Sequence, residues 1–210
     1  MSAGWTAKGT ATRSRIIDAA ARLIHERGIA SVGINDVRAA SSTSHGQIAH
    51  YFPGGRAELL RAVVERQAEQ ALDDQGPELR ALDSWESWQR WRAHLLAVHT
   101  ARGAAGGCPL GSLVPQLAEN DPAAARLMET GFDTWAAAFE RGIAAMRANG
   151  DLAAGTDARQ LAATVLSLVQ GGLTLMQASR SVTRLEQALD SVLRLLRAHS
   201  REAGAGGPSV

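Results

Sequence analysis

Residues 34–52 read Ile34-Asn35-Asp36-Val37-Arg38-Ala39-Ala40-Ser41-Ser42-Thr43-Ser44-His45-Gly46-Gln47-Ile48-Ala49-His50-Tyr51-Phe52. The stretch divides into a short helix from Ile34 to Ala40, a polar turn at Ser41-Ser42-Thr43, and a second helix from Ser44 to Tyr51 with Ser44 as N-cap. Two helices joined by so short a turn form a helix-turn-helix, whose second helix is the one that enters the DNA major groove. Here it exposes His45, Gln47 and His50, while Ile48 and Phe52 pack inward.

Upstream, residues 1–11 mix Gly, Ser, Thr and Ala with the single lysine Lys8 and read as a flexible arm. The first helix is expected from Thr12, with Ile16, Ala20, Leu23 and Ile24 at helical spacing and Gly28 as its stop. Downstream, Pro53-Gly54-Gly55 breaks the chain and Arg56 opens a long helix to about Asp74, ended by Gly76-Pro77. Further helices are expected over residues 84–102, over 110–119, and from Asp121-Pro122, an N-cap followed by proline in the first turn, to Asn149-Gly150. Two more run from Asp157 to Ala178 and from Thr183, which stands in capping-box register with Glu186. Residues 203–210 read as a disordered tail. With no sustained alternating run, the class is all-α: a three-helix helix-turn-helix domain over 12–55 and a larger helical domain over 56–202.

A chain of 210 residues with 45% hydrophobic and 20% charged content has an ordinary globular composition. Charge is uneven along it: nine basic against five acidic residues through Arg66, thirteen against sixteen beyond. That excess favours a polyanionic partner for the N-terminal part. Cys108 is the only cysteine, which fits a reducing compartment. The first residues contain no leader-like apolar run. The most apolar stretch, residues 161–176, is broken by polar residues and glycine and reads as too short for a bilayer span, so the expected location is cytoplasmic without membrane contact.

Chemistry-bearing patterns are few. No phosphate loop, nucleophile elbow, zinc-protease pair or dinucleotide fingerprint is present, so an enzyme is not expected. His94 and His99 are five apart, off the i, i+4 register of a helical metal pair, so neither metal nor cofactor is expected. Cys108, between Gly107 and Pro109, reads as a buried thiol. Trp85, Trp88 and Trp91 form one drifting helical stripe, which with Met128, Phe132, Trp135, Phe139 and Met176 serves either as the aromatic wall of a ligand pocket or as plain core. Gln170, His94 and His99 are the candidate polar groups of such a pocket. In the last two helices, Leu185, Leu189, Val192, Leu193 and Leu196 make a wide stripe, and Gly171-Gly172 implies a close backbone approach or a local bend. Both features fit either a dimer interface or intrachain core.

Thr12, Arg13, Ile16, Ala19, Ala20, then Glu26-Arg27-Gly28, then Tyr51-Phe52-Pro53 after the two-helix unit, resemble the TetR family of bacterial transcriptional regulators over about residues 12–66. Pro53-Gly54-Gly55-Arg56-x-Glu58-Leu59 and Gly107-Cys108-Pro109-Leu110-Gly111 look like its LmrA/YxaF branch. The resemblance implies a homodimeric repressor that binds a double-stranded operator and is released by a small lipophilic or aromatic effector, its last two helices forming a four-helix bundle with their copies. The chain departs from the family's pattern at Ser42 (glycine is usual), Thr43 (aliphatic), His45 (lysine) and Ala49 (aromatic). Those departures leave an alternative, a helical small-molecule-binding protein with weakened or vestigial DNA binding.

The expected DNA contacts follow from side-chain chemistry. Gln47 has the amide geometry for adenine, and Ser44 or His45 reaches a base edge or phosphate. His50 and Tyr51 meet the backbone. Arg56 holds a phosphate at a helix start, and Arg13 and Lys8 reach the flanking backbone or minor groove.

Overall fold

The structure, a computed structural model, describes residues 5–201. Among these residues there are nine α-helices: α1 (Ala7–Arg27), α2 (Ile34–Ser41), α3 (His45–Tyr51), α4 (Gly55–Asp73), α5 (Trp85–Ala101), α6 (Val114–Leu117), α7 (Pro122–Asn149), α8 (Ala158–Ser179) and α9 (Thr183–Ala198). The only strand-like pairing among them is an isolated bridge between Leu152 and Ser200. The expected all-α class is the observed one.

Three local expectations need correcting. The first helix begins at Ala7 because Thr6 caps it, its Oγ1 accepting from the Gly9 N–H at 3.2 Å. Residues 7–11, including Lys8, are therefore helical rather than an arm; the rest of the expected arm through Gly4, and the expected tail, lie outside the described residues. Residues 110–119 yield only a 3₁₀ turn, Gly111–Leu113, and the four-residue α6. The α9 start is not a capping box. Ser181 Oγ accepts from the Thr183 N–H at 3.3 Å, while Glu186 turns to Arg92 at 3.1 Å. A guanidinium already paired with Asp190 at 2.6 Å is a stronger partner for that carboxylate than a backbone amide.

The described residues form two compact units that are not contiguous in sequence: residues 5–70 with 112–131, and residues 71–111 with 132–201. The expected division at 55/56 missed the internal segment. Gln116 Oε1 accepts from the Ile29 N–H at 2.8 Å, and Asp121 takes a two-pronged contact from Arg61 at 3.1 and 3.2 Å. Asp121 also caps α7 through the Ala123 and Ala124 N–H groups, both at 3.0 Å. These amide bonds and the guanidinium hold its carboxyl below the ordinary range.

The first unit buries Ile16, Ala20, Leu23, Val37, Ile48 and Phe52 around the short helices. In the second, α8 and α9 lie against each other, with Leu185, Leu189, Val192 and Leu196 all at 0% exposure. That stripe is intrachain core and only Leu193 keeps partial exposure, so the dimer reading of these leucines is corrected. The close approach implied by the glycines is likewise intrachain, and only one of them makes it. A Cβ on Gly172 would meet Ala188 Cβ at 2.6 Å and Leu185 Cα at 3.3 Å, whereas one on Gly171 meets nothing within 4 Å.

At 22 residues, with an 18-residue window of mean hydropathy 1.4, α8 is long and apolar enough to cross a membrane by length and composition alone. The expectation that this stretch is too short is therefore withdrawn. Its buried face is nevertheless committed to α9.

Gly172→Ala is expected to destabilise the protein by about 1–3 kcal/mol despite the better helix propensity, because Ala188 Cβ sits directly on the backbone and cannot swing aside. Gly171→Ala should not lower stability. Urea unfolding of the two variants checks the contrast.

Candidate functional site

The reading helix α3 has seven residues, too few to be stable alone, so its position is set by what grips it. Ile48 and Phe52 anchor its inner face at 5% and 1% exposure. At its start, Ser44 Oγ accepts from the Gln47 N–H at 3.1 Å and Gln47 Oε1 accepts from the Ser44 N–H at 2.9 Å, a reciprocal capping box. His45 Nε2 lies 2.9 Å from Asn35 Oδ1 on α2. At its end, the His50 and Tyr51 rings pack on Trp5, with centroids at 5.2 and 4.9 Å.

The turn before α3 explains the chain's departures at Ser42 and Thr43. Ser42 adopts the left-handed conformation, φ +52° and ψ +47°, which is why glycine suits this place. Thr43 is buried, and its hydroxyl lies 2.7 Å from Ser41 Oγ, which donates to the Val37 carbonyl at 2.7 Å. The buried hydroxyl is thus satisfied, and a polar residue replaces the aliphatic one without an orphan.

His45, Gln47, Ala49 and His50 are exposed on α3, as expected of a reading face. Two expected contact residues also have structural duties. Arg56 Nη2 donates to the Ile29 and Val32 carbonyls at 2.7 and 3.0 Å, closing the link between α1 and α2. Arg13 stacks its guanidinium over Phe52 at 5.1 Å. Arg15, not singled out from sequence, donates through Nε to the Ser41 carbonyl at 2.9 Å and braces the end of α2. The Ser44-x-x-Gln47 spacing could have revealed the cap, but Gln47 was read only as a base contact; the arginine contacts had no local signal.

In the second unit the aromatic stripe resolves into core with one exception. Trp88 donates its indole N–H to the Leu82 carbonyl at 3.0 Å, and Trp91 donates to Gln75 Oε1 at 3.2 Å. Both pack with Phe139, at 5.7 and 5.3 Å. Trp135 is buried to 1% exposure, and its Nε1 has no partner. Trp85 sits apart, half-buried, with Arg197 5.5 Å over its ring in a separate cleft of about 910 Å³. Met176 is core, Phe132 is half-buried, and Met128 belongs to the first unit.

Trp135 faces a small cavity with Gln75, His99, Cys108 and Leu173. His99, also buried, has an unpartnered Nδ1. Burial, with Arg102 nearby, pushes its imidazole below the ordinary value, and burial pushes the Cys108 thiol up. Arg102 itself holds both oxygens of Asp74. Gln170 Nε2 rests on Cys108 Sγ at 3.4 Å. Among the described residues no three His, Cys, Asp or Glu side chains gather as a metal site would require.

An all-α fold that presents a gripped seven-residue helix beyond a tight turn defines a helix-turn-helix DNA-binding regulator. Residues 16–63 match the family described as bacterial regulatory proteins, tetR family, and residues 88–192 match the tetracyclin repressor-like C-terminal domain. The chain belongs to the TetR family of transcriptional regulators.

An uncharacterized HTH-type transcriptional regulator of Mycobacterium tuberculosis is 28% identical over 199 residues, covering 90% of this chain and 96% of that protein. YxaF of Bacillus subtilis is 26% identical (89% and 95% covered), and LmrA of the same organism 22% (83% and 90%), which supports the branch resemblance. Among solved structures, a TetR-family regulator from Cytophaga hutchinsonii superposes with TM-score 0.77 at 16% identity over 94% of this chain and 98% of that one. A transcriptional regulator from Saccharomonospora viridis in complex with choline gives 0.68 at 22% over 88% and 96%.

Replacing Ser42 with glycine relieves a left-handed strain of about 1 kcal/mol, partly offset by the greater freedom of glycine in the unfolded chain. Ser42→Gly is expected to raise the thermal midpoint by a few degrees, measured by circular dichroism.

Proposed function

We propose that this TetR-family regulator is a cytoplasmic homodimeric repressor that reads a twofold operator with α3 and lets go when a small molecule occupies its second unit. The observation that carries the DNA part is the reciprocal Ser44–Gln47 cap. The Ser44 N–H occupies one lone pair of the Gln47 oxygen and fixes the side chain, leaving its NH₂ and the second lone pair for a base edge. The NH₂ suits an acceptor such as purine N7, guanine O6 or thymine O4. His45 and His50 flank it, and the small Gly46 and Ala49 let the helix backbone approach the groove closely. Tyr51 and Ser44 serve the sugar-phosphate backbone.

Dimerisation, with the leucine stripe committed to the core, passes to the outer face of α8. There Thr164, Gly171 and Ala178 are exposed, Leu168 is half-buried, and Leu175 is 57% exposed. These positions recur at helical spacing as one small, weakly polar face. A twofold dimer is what half-site recognition by two α3 helices demands. For release, the effector must bind the DNA-incompetent state more tightly.

A mobility-shift assay on the promoter regions of its own and adjacent genes tests the reading; absence of any sequence-specific complex at low salt defeats it. Gln47→Glu retains an oxygen for the Ser44 cap but removes the donor and adds negative charge. It is expected to cut operator affinity tenfold or more while leaving the thermal midpoint near wild type. Leu175→Glu should shift the protein from dimer to monomer in sedimentation analysis without unfolding it. A variant that stays dimeric moves the interface elsewhere.

A further inference from the structure

The inner face of α3 is held by Ile48 and Phe52, four residues apart and buried at 5% and 1% exposure. Side chains at that spacing stand one above the other along a single line parallel to the helix axis. A seven-residue helix gripped along one line can still rock about it. Gln47 and His50, three apart, form a second line on the exposed side, so rocking moves the reading face as a whole. Contacts away from the Ile48–Phe52 line are needed to stop it. The hydrogen bond between His45 and Asn35 supplies one at the start of α3, and the far end needs its own.

There the contact is Trp5. Its ring lies 5.2 Å from that of His50 and 4.9 Å from that of Tyr51, and the last two lie 5.1 Å apart, so the three rings close a triangle. Consecutive helical side chains diverge by about 100°, so one ring that meets both opposes rotation in either direction. Trp5 is itself placed by the start of α1. It immediately precedes the N-cap Thr6, whose Oγ1 accepts from the Gly9 N–H at 3.2 Å and whose carbonyl accepts from the Thr10 N–H at 2.9 Å. An apolar residue in that place commonly packs back on the fourth residue of its own helix. Here that residue is the exposed, polar Thr10, and the indole packs on α3 instead. Gly9 is buried, and a Cβ there would lie 3.4 Å from Trp5 Cβ and 3.5 Å from the Tyr51 hydroxyl. A methyl group fits in ordinary contact, whereas a longer side chain enters the space of both.

We infer that Trp5 is a positioning residue of the reader: the first turn of α1 clasps the end of α3, and Trp5 acts on operator recognition through α3 and not by touching DNA. This rests on the operator-reading proposal and adds a residue to it. What α3 takes from Trp5 is ring surface, so phenylalanine serves in its place and alanine does not. A loosened α3 loses base contacts, which need its register, and keeps the attraction of phosphates for charge, which does not. Loss of the clasp therefore costs discrimination between sequences and spares general affinity for DNA.

The test measures amide hydrogen exchange in the full-length protein, with mobility shifts on the promoter fragment that the wild type selects and on a scrambled fragment of equal length. In Trp5→Ala the amides of residues 48–52 are expected to exchange about tenfold faster or more, with those of α8 unchanged. Affinity for the selected fragment should fall about tenfold or more, while affinity for the scrambled one and its salt slope stay at wild-type values. Trp5→Phe should restore exchange and affinity to within about threefold of wild type, and Gly9→Ala should match it. Should Trp5→Ala not fold, Gly9→Leu, which keeps Trp5 but intrudes on it and on Tyr51, is expected to show the same two losses. Unchanged exchange in α3, equal loss on both fragments, or Trp5→Phe as weak as Trp5→Ala each overturns the inference. Selection of a fragment by the wild type with α3 exchange unmoved in Trp5→Ala defeats the clasp and leaves the operator reading standing. Faster α3 exchange in a protein that selects no fragment does the reverse.

Discussion

A seven-residue helix has no stability of its own, and the DNA-reading surface of this protein is such a helix. Everything useful about α3 therefore depends on the contacts that hold it. Burial of Ile48 and Phe52 sets its rotation, and the Ser44–Gln47 cap sets its start. Asn35 and Trp5 secure it from the side and from the far end. Basic residues that look like DNA contacts in the sequence are spent on the same task. Arg56 closes the link between α1 and α2, Arg15 ties the end of α2, and Arg13 covers Phe52. The positive charge of this region thus serves first as scaffold.

The turn shows how a departure from a family's pattern can be absorbed. Ser42 sits in a conformation that costs a non-glycine residue about 1 kcal/mol, and Thr43 places a hydroxyl where an aliphatic group is usual. The Ser41 hydroxyl bridges from Thr43 to the Val37 carbonyl, so the polar substitution leaves nothing unsatisfied. The vestigial-reader alternative rests in part on these two positions, and the turn they form is intact. Ala49 is a different matter, since it is exposed and its small side chain changes only what α3 presents to a partner.

In the second unit, residue type does not reveal which buried indole N–H groups find partners. Trp88, Trp91 and Trp135 are equally apolar in sequence and almost equally buried. Only the accounting of indole N–H groups distinguishes them, because the partners of the first two are the Leu82 carbonyl and the Gln75 side chain. Neither partner lies at a spacing that periodicity could have flagged. The same holds for α9: its leucine stripe was visible, but whether it met α8 or a second chain was a question of tertiary packing.

The all-α class, the position of the two-helix reader, the Ser44 cap and the Asp121-Pro122 start of α7 could all be read along the chain. These are set by local spacing, capping chemistry and turn residues, which act over a few positions. The extra turns of α1 could not be read, because Thr6 caps from within a stretch that composition marks as loose. Tertiary structure alone decided that residues 112–131 join the N-terminal helices, through Gln116 and Asp121, and that Gly172 rather than Gly171 meets α9. It also decided which polar atoms are already taken. Those outcomes depend on which groups, far apart in the chain, become neighbours and satisfy or orphan one another, and no local pattern encodes that.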